Sequence, residues 1–128
     1  MADVTPLTGE LQTQVMDAVW RLGSATVEEV RMALPPRYRG AYNTIQTVLN
    51  RLADRNLLSR HKVGSAFQYR ARVSEAEYLS RSIAQTLAGA SMAARQAALA
   101  RLIGELDDDE LKDLRRLARE MNEKPRKR

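Results

Sequence analysis

The sequence predicts a mainly α fold with one small β-hairpin, in which three helices lead into the hairpin and three follow it. Three observations predict it. Apolar residues recur at helical spacing in six separate segments. Around Gly64 the pattern changes to two short runs, 57–62 and 66–70, either side of a turn. Capping residues and helix breakers stand at the joints between these segments.

The first helix is expected over residues 9–22, where Leu11, Val15, Ala18, Val19 and Leu22 form one stripe. Met16 and Trp20 flank that stripe and are assigned to the core, and Gly23 follows as a terminator. The second spans 27–34. Thr26 and Glu29 form a capping box, Val27, Val30, Ala33 and Leu34 face inward, and Pro35-Pro36 ends the helix. The third covers 42–55, with Ile45, Val48, Leu49 and Leu52 as its apolar stripe. Opposite that stripe fall Asn43, Gln46, Thr47, Asn50 and Asp54, with Thr44 and Arg51 on its flank and Asn56 as a left-handed stop. In the hairpin, Val63-Gly64-Ser65 supplies the turn, Leu58, Phe67 and Tyr69 cover one face, and the basic side chains project outward.

Beyond Val73, Ser74 and Glu77 form a second capping box, opening a helix that carries Tyr78, Leu79, Ile83 and Leu87. Gly89 interrupts it, and Ser91 caps the next helix, which carries Ala94, Ala98, Leu99, Leu102 and Ile103. Asp107 and Glu110 start the last, with Leu111, Leu114, Leu117, Ala118 and Met121. The division is therefore residues 1–72 as three helices and a hairpin, 73–123 as three helices, and 124–128 as a basic tail expected to be disordered. The second part is too thinly apolar to be stable alone, so its stripes call for a second copy of the chain.

Charge is unevenly placed. Residues 36–72 hold Arg37, Arg39, Arg51, Arg55, Arg60, Lys62, Arg70 and Arg72 against the single acid Asp54, although the whole chain carries only +5. Such a concentration suits a surface that meets a polyanion. The chain has no cysteine, which removes disulfides, thiolate metal sites and cysteine nucleophiles and fits a reducing cytoplasm. The N-terminus lacks the basic and apolar regions of a signal peptide, and no stretch is apolar and long enough to insert in a membrane.

Catalysis and cofactors find no support. His61 is the only histidine and has no second ligand at metal spacing, so neither a metal nor a cofactor is expected. No nucleophile elbow and no glycine-rich phosphate loop occurs. Asp107-Asp108-Asp109-Glu110 lacks a calcium-loop pattern and reads as a helix start.

Three helices followed by a hairpin is the order of a winged helix-turn-helix, whose third helix enters the major groove of DNA. The outer face of that helix holds Asn43, Thr44, Gln46, Thr47 and Asn50. Asn and Gln suit adenine bidentately, and the Thr methyl suits that of thymine. An ordinary solvated helix face would carry more Glu and Lys. Around these base-reading candidates, Arg37, Arg39, Tyr42, Arg51, Arg60, Lys62 and Ser65 are assigned to the DNA backbone.

The strings Leu7-Thr8-Gly9-Glu10-Leu11, Val19-Trp20, Ala25-Thr26-Val27-Glu28-Glu29-Val30 and Ala41-Tyr42-Asn43-Thr44-Ile45-Gln46-Thr47-Val48-Leu49-Asn50-Arg51-Leu52 resemble the BlaI/MecI/CopY family of repressors. So do the wing string Gly64-Ser65-Ala66-Phe67-Gln68-Tyr69-Arg70 and the Val73-Ser74 entry to the next part. The resemblance implies a homodimer that binds a double-stranded dyad operator and represses transcription, in some members of β-lactam-response genes. It implies that Thr44 and Thr47 with their neighbours face DNA. It also implies that helices bearing Tyr78, Leu79, Ile83, Leu87, Leu99, Leu102, Ile103, Leu111, Leu114 and Leu117 interleave between subunits. In β-lactam-responsive members a membrane sensor triggers proteolysis at an Asn-Phe bond of a dimerisation helix. Arg101-Leu102 stands at that place here. Copper-responsive members bind metal through C-terminal cysteines, which this chain lacks. The alternative functions are a winged-helix protein-interaction module and an RNA-binding protein. Charge argues against the first, and the shortage of free aromatic surface against the second.

Overall fold

A computed structural model describes residues 1–123, and the basic stretch 124–128 lies outside the described residues. The order of elements is α1 (Glu10–Leu22), β1 (Ser24–Thr26), α2 (Val27–Ala33), a 3₁₀ turn at Pro36–Tyr38, α3 (Tyr42–Asp54), β2 (Leu58–Val63), β3 (Ala66–Ala71), α4 (Glu75–Ala88), α5 (Met92–Gly104) and α6 (Asp108–Glu123).

The expected start and stop signals operate. Gly23 takes φ 81° and its N–H donates to Val19 O at 2.8 Å, closing α1. The Thr26 hydroxyl accepts from Glu29 N, while the Glu29 carboxylate accepts from Thr26 N at 2.8 Å. Asn56 ends the α3 segment at φ 60°. One half of that pattern, the N-cap side chain accepting from the N–H three residues on, recurs at Ser74 for α4, Ser91 for α5 and Asp107 for α6.

Residues Met1–Thr86 form one compact unit. The apolar stripes of α1, α2 and α3 meet there, with Val15, Met16, Val19, Val30, Ile45, Leu49 and Leu52 buried. The hairpin joins this core through Leu58 and Tyr69, which are also buried. The sheet has three strands in the order β1-β3-β2, all antiparallel, rather than the two expected. The extra strand is short. Ala25 pairs with Tyr69, and its methyl is buried in the core. The hairpin turn is tighter than expected: Val63 pairs with Ala66, leaving Gly64 at φ 66° and Ser65 to make the reversal.

Two expected core positions lie outside the core. Leu22 is 44% exposed at the last turn of α1, and Phe67 is 39% exposed. Phe67 pairs with Lys62 toward the tip of the hairpin, beyond Tyr69, which is the strand residue that contacts α3.

The unit also extends past residue 72, because α4 begins by packing onto it. Tyr78, assigned from sequence to the dimer contact, is instead buried within this unit. Its hydroxyl accepts from Leu7 N at 2.9 Å, and its ring lies 5.6 Å from that of Trp20. Trp20 in turn donates from Nε1 to Val73 O at 3.0 Å. Leu79 and Ile83, on the same helix, remain half exposed.

The second unit, from Leu87 on, contains α5 and α6. Neither helix buries a residue. Leu87, Leu99 and Leu111 are half-buried, while Leu102, Ile103, Leu114 and Leu117 are exposed. Among the described residues no helix is long and apolar enough to cross a membrane.

Candidate nucleic-acid interface

Because Ile45, Val48, Leu49 and Leu52 point into the core, the other side of α3 is left to solvent. Asn43, Thr44 and Thr47 are exposed there, and Gln46 is half-buried. Thr47 Oγ1 donates to Asn43 O at 2.9 Å. That bond uses the hydroxyl proton and holds the side chain in one rotamer, so its methyl is presented in a fixed position. The N-cap position of α3, Ala41, has no polar side chain, so the first-turn N–H groups are not capped from within.

Asn50 lies one turn further along, half-buried where α3 meets the wing. Its Oδ1 accepts from Arg60 Nη1 at 2.6 Å and from Tyr69 OH at 2.7 Å. Arg60 and Tyr69 are cross-strand partners, so their side chains share the sheet face that meets α3. Burial pushes the Tyr69 phenol above its ordinary value, against the opposing pull of the Arg60 charge, so the hydroxyl stays a donor at neutral pH.

The basic residues divide by what their donors already hold. Arg60, expected to project outward, lies over the Phe67 ring at 5.5 Å and bonds Asn50. Arg39 is half-buried and donates to Leu34 O at 3.0 Å and Met32 O at 3.2 Å. It thereby caps the C-terminal end of α2. Arg37, Arg51 and Lys62 are exposed and form no ion pair among the described residues. Arg37 stacks on Tyr38 at 4.7 Å, which leaves its donors in solvent. The Tyr38 hydroxyl donates to the Glu10 carboxylate, and that bond, with burial, raises the phenol pKa. Tyr42 and Ser65 are exposed, at the start of α3 and in the wing turn.

One groove, of about 430 Å³, runs along this surface between α3 and the start of α1. Thr44, Thr47 and Arg51 line one wall; Thr8, Gly9 and Gln12 line the other. Thr8 and Gln12 escaped the sequence reading, in which the first helix counted only as a core element. No periodicity marks them. Only the crossing of α1 and α3 brings them beside the polar face.

The family model described as penicillinase repressor matches residues 8–120. The chain is 37% identical over 123 residues to proteins named transcriptional regulator BlaI from two strains of Mycobacterium tuberculosis, covering 94% of this chain and 88% of each relative. The solution structure of the DNA-binding domain of the repressor BlaI superposes with a TM-score of 0.51 and 31% identity, over 61% of this chain and 94% of that domain.

Proposed function

The chain belongs to the penicillinase repressor family, and from that premise we propose that it represses transcription by gripping a dyad operator as a homodimer. Each protomer lays α3 in the major groove and its β2–β3 wing against the backbone. Asn43, Thr44, Gln46 and Thr47 read base edges, with Asn50 at the end of the same face. Arg37, Arg51, Lys62, Tyr42 and Ser65 hold the backbone. The observation that carries this reading is the α3 face itself: short neutral side chains, with Asn43, Thr44 and Thr47 in solvent, beside cations that form no ion pair among the described residues.

The helical part, 73–123, supplies the dimer. Leu102, Ile103, Leu114 and Leu117 leave apolar area in solvent that a second copy would cover. Two joined reading heads gain affinity through effective concentration, so loss of the dimer releases the operator. Such a protein works in the cytoplasm, and a membrane sensor or protease that breaks the dimer is the kind of input this arrangement accepts. β-Lactam-response genes are the candidate targets.

Two measurements on the purified chain test the reading. Sedimentation at micromolar concentration should give a dimer, and a monomer would sink that part. Selection from randomised duplex DNA should enrich a sequence with two inverted half-sites about one helical turn apart. Recovery of no preferred duplex at low salt would remove the DNA-binding reading.

A further inference from the structure

Asn50 is the one residue of the α3 reading face whose side chain is already engaged by the wing. Both of its side-chain hydrogen bonds fall on Oδ1, from Arg60 at 2.6 Å and from Tyr69 at 2.7 Å. A guanidinium only donates, so the amide must turn its oxygen toward Arg60 and its nitrogen away. A carbonyl oxygen has two lone pairs, and here both are taken. Tyr69 is fully buried, so its hydroxyl has no other place to go if Arg60 swings out to a phosphate.

Bidentate reading of adenine needs both ends of the amide: nitrogen donating to N7 and oxygen accepting from the exocyclic amino group. At Asn50 only the donor end remains. We infer that Asn50 reads as a donor alone and selects guanine, whose N7 and O6 are adjacent acceptors, over adenine. This inference rests on the DNA-binding function proposed above and adds a base preference to it.

The test is selection from randomised duplex DNA with the full chain, comparing wild type, Asn50→Ala and the double variant Arg60→Ala/Tyr69→Phe. The position governed by Asn50 is the one whose preference Asn50→Ala flattens. There the wild type should favour guanine over adenine by about tenfold. The double variant keeps the buried ring but frees both lone pairs, and should move that position toward adenine. If the double variant fails to fold, Arg60→Ala alone, at an exposed site, frees one lone pair and should move it the same way by a smaller factor. Adenine at that position in the wild type would overturn the inference, as would an Asn50→Ala profile identical to wild type. Failure of the wild type to enrich any duplex would strike the DNA-binding reading instead.

Discussion

The salt dependence of DNA binding follows from which cations are free. Arg37, Arg51 and Lys62 form no ion pair among the described residues, whereas Arg39 caps α2 and Arg60 holds Asn50. In the proposed dimer, the three cations assigned to the backbone on each protomer would neutralise about six phosphates, which gives a slope of log K against log salt of about −5. Affinity should then fall by about three orders of magnitude between 50 and 200 mM salt. Were Arg39 and Arg60 also on phosphates, the count would rise to about ten and the slope to about −9. Fluorescence anisotropy of a labelled duplex across a salt series separates the two values. Lys62→Ala should flatten the slope by about 2, since the proposed dimer would lose two contacts. Arg39→Ala should leave the slope unchanged and lower the melting temperature, because it removes a helix cap and not a phosphate contact. A slope near −9, or an Arg39→Ala slope as flat as that of Lys62→Ala, would refute this division of the arginines.

Other perturbations bear on the fold that holds the site. Tyr78→Phe keeps the ring against Trp20 but strands the Leu7 N–H, at a cost of about 1–2 kcal/mol read by urea denaturation, with the dimer left intact. A change in sedimentation without a loss of stability would return Tyr78 to the dimer interface. Leu49→Ala, at a fully buried position of α3, should cost about 2–5 kcal/mol by the same assay, and a smaller loss would mean a core able to collapse around it. Tyr69 has its pKa raised above 10.0 in the fold, so its contribution to stability is complete below the unfolded value and is lost as pH rises through the folded one. The stability gap between wild type and Tyr69→Phe should therefore narrow above pH 10 and stay constant between pH 6 and 9. A gap that stays constant on raising the pH above 10 would show a phenol that is not raised.

The parts of this protein that were legible in sequence are those governed by local rules. Helical periodicity located α1 and α3 because their buried stripes, such as Ile45, Val48, Leu49 and Leu52, recur within a few residues of each other. Capping boxes located the starts of α2 and α4 for the same reason. Strand β1 was illegible because three residues carry no period, and its ladder partner lies more than forty positions away. The fate of Tyr78 was illegible because an apolar position on an amphipathic helix looks the same whether its own chain or a second copy covers it. Composition placed the charge correctly in 36–72, yet it could not tell Arg39 and Arg60 from Arg37 and Lys62. That distinction depends on whether a carbonyl from elsewhere lies within reach of the guanidinium.

The same distinction separates two tasks on one surface. Side chains that read bases must be held still, since each rotor frozen on binding costs free energy. Asn43, Thr44 and Thr47 are short, and Thr47 is already fixed by its bond to Asn43 O. Asn50 is fixed from two directions by the wing. Cations that meet phosphates need no such restraint, because a charge acts over several ångströms without a defined angle. Arg37 and Lys62 are accordingly long and exposed. Arg60 belongs with the restrained group although its residue type belongs with the other. Its donor locks Asn50, so in the proposed complex an arginine that composition assigns to affinity would act on specificity.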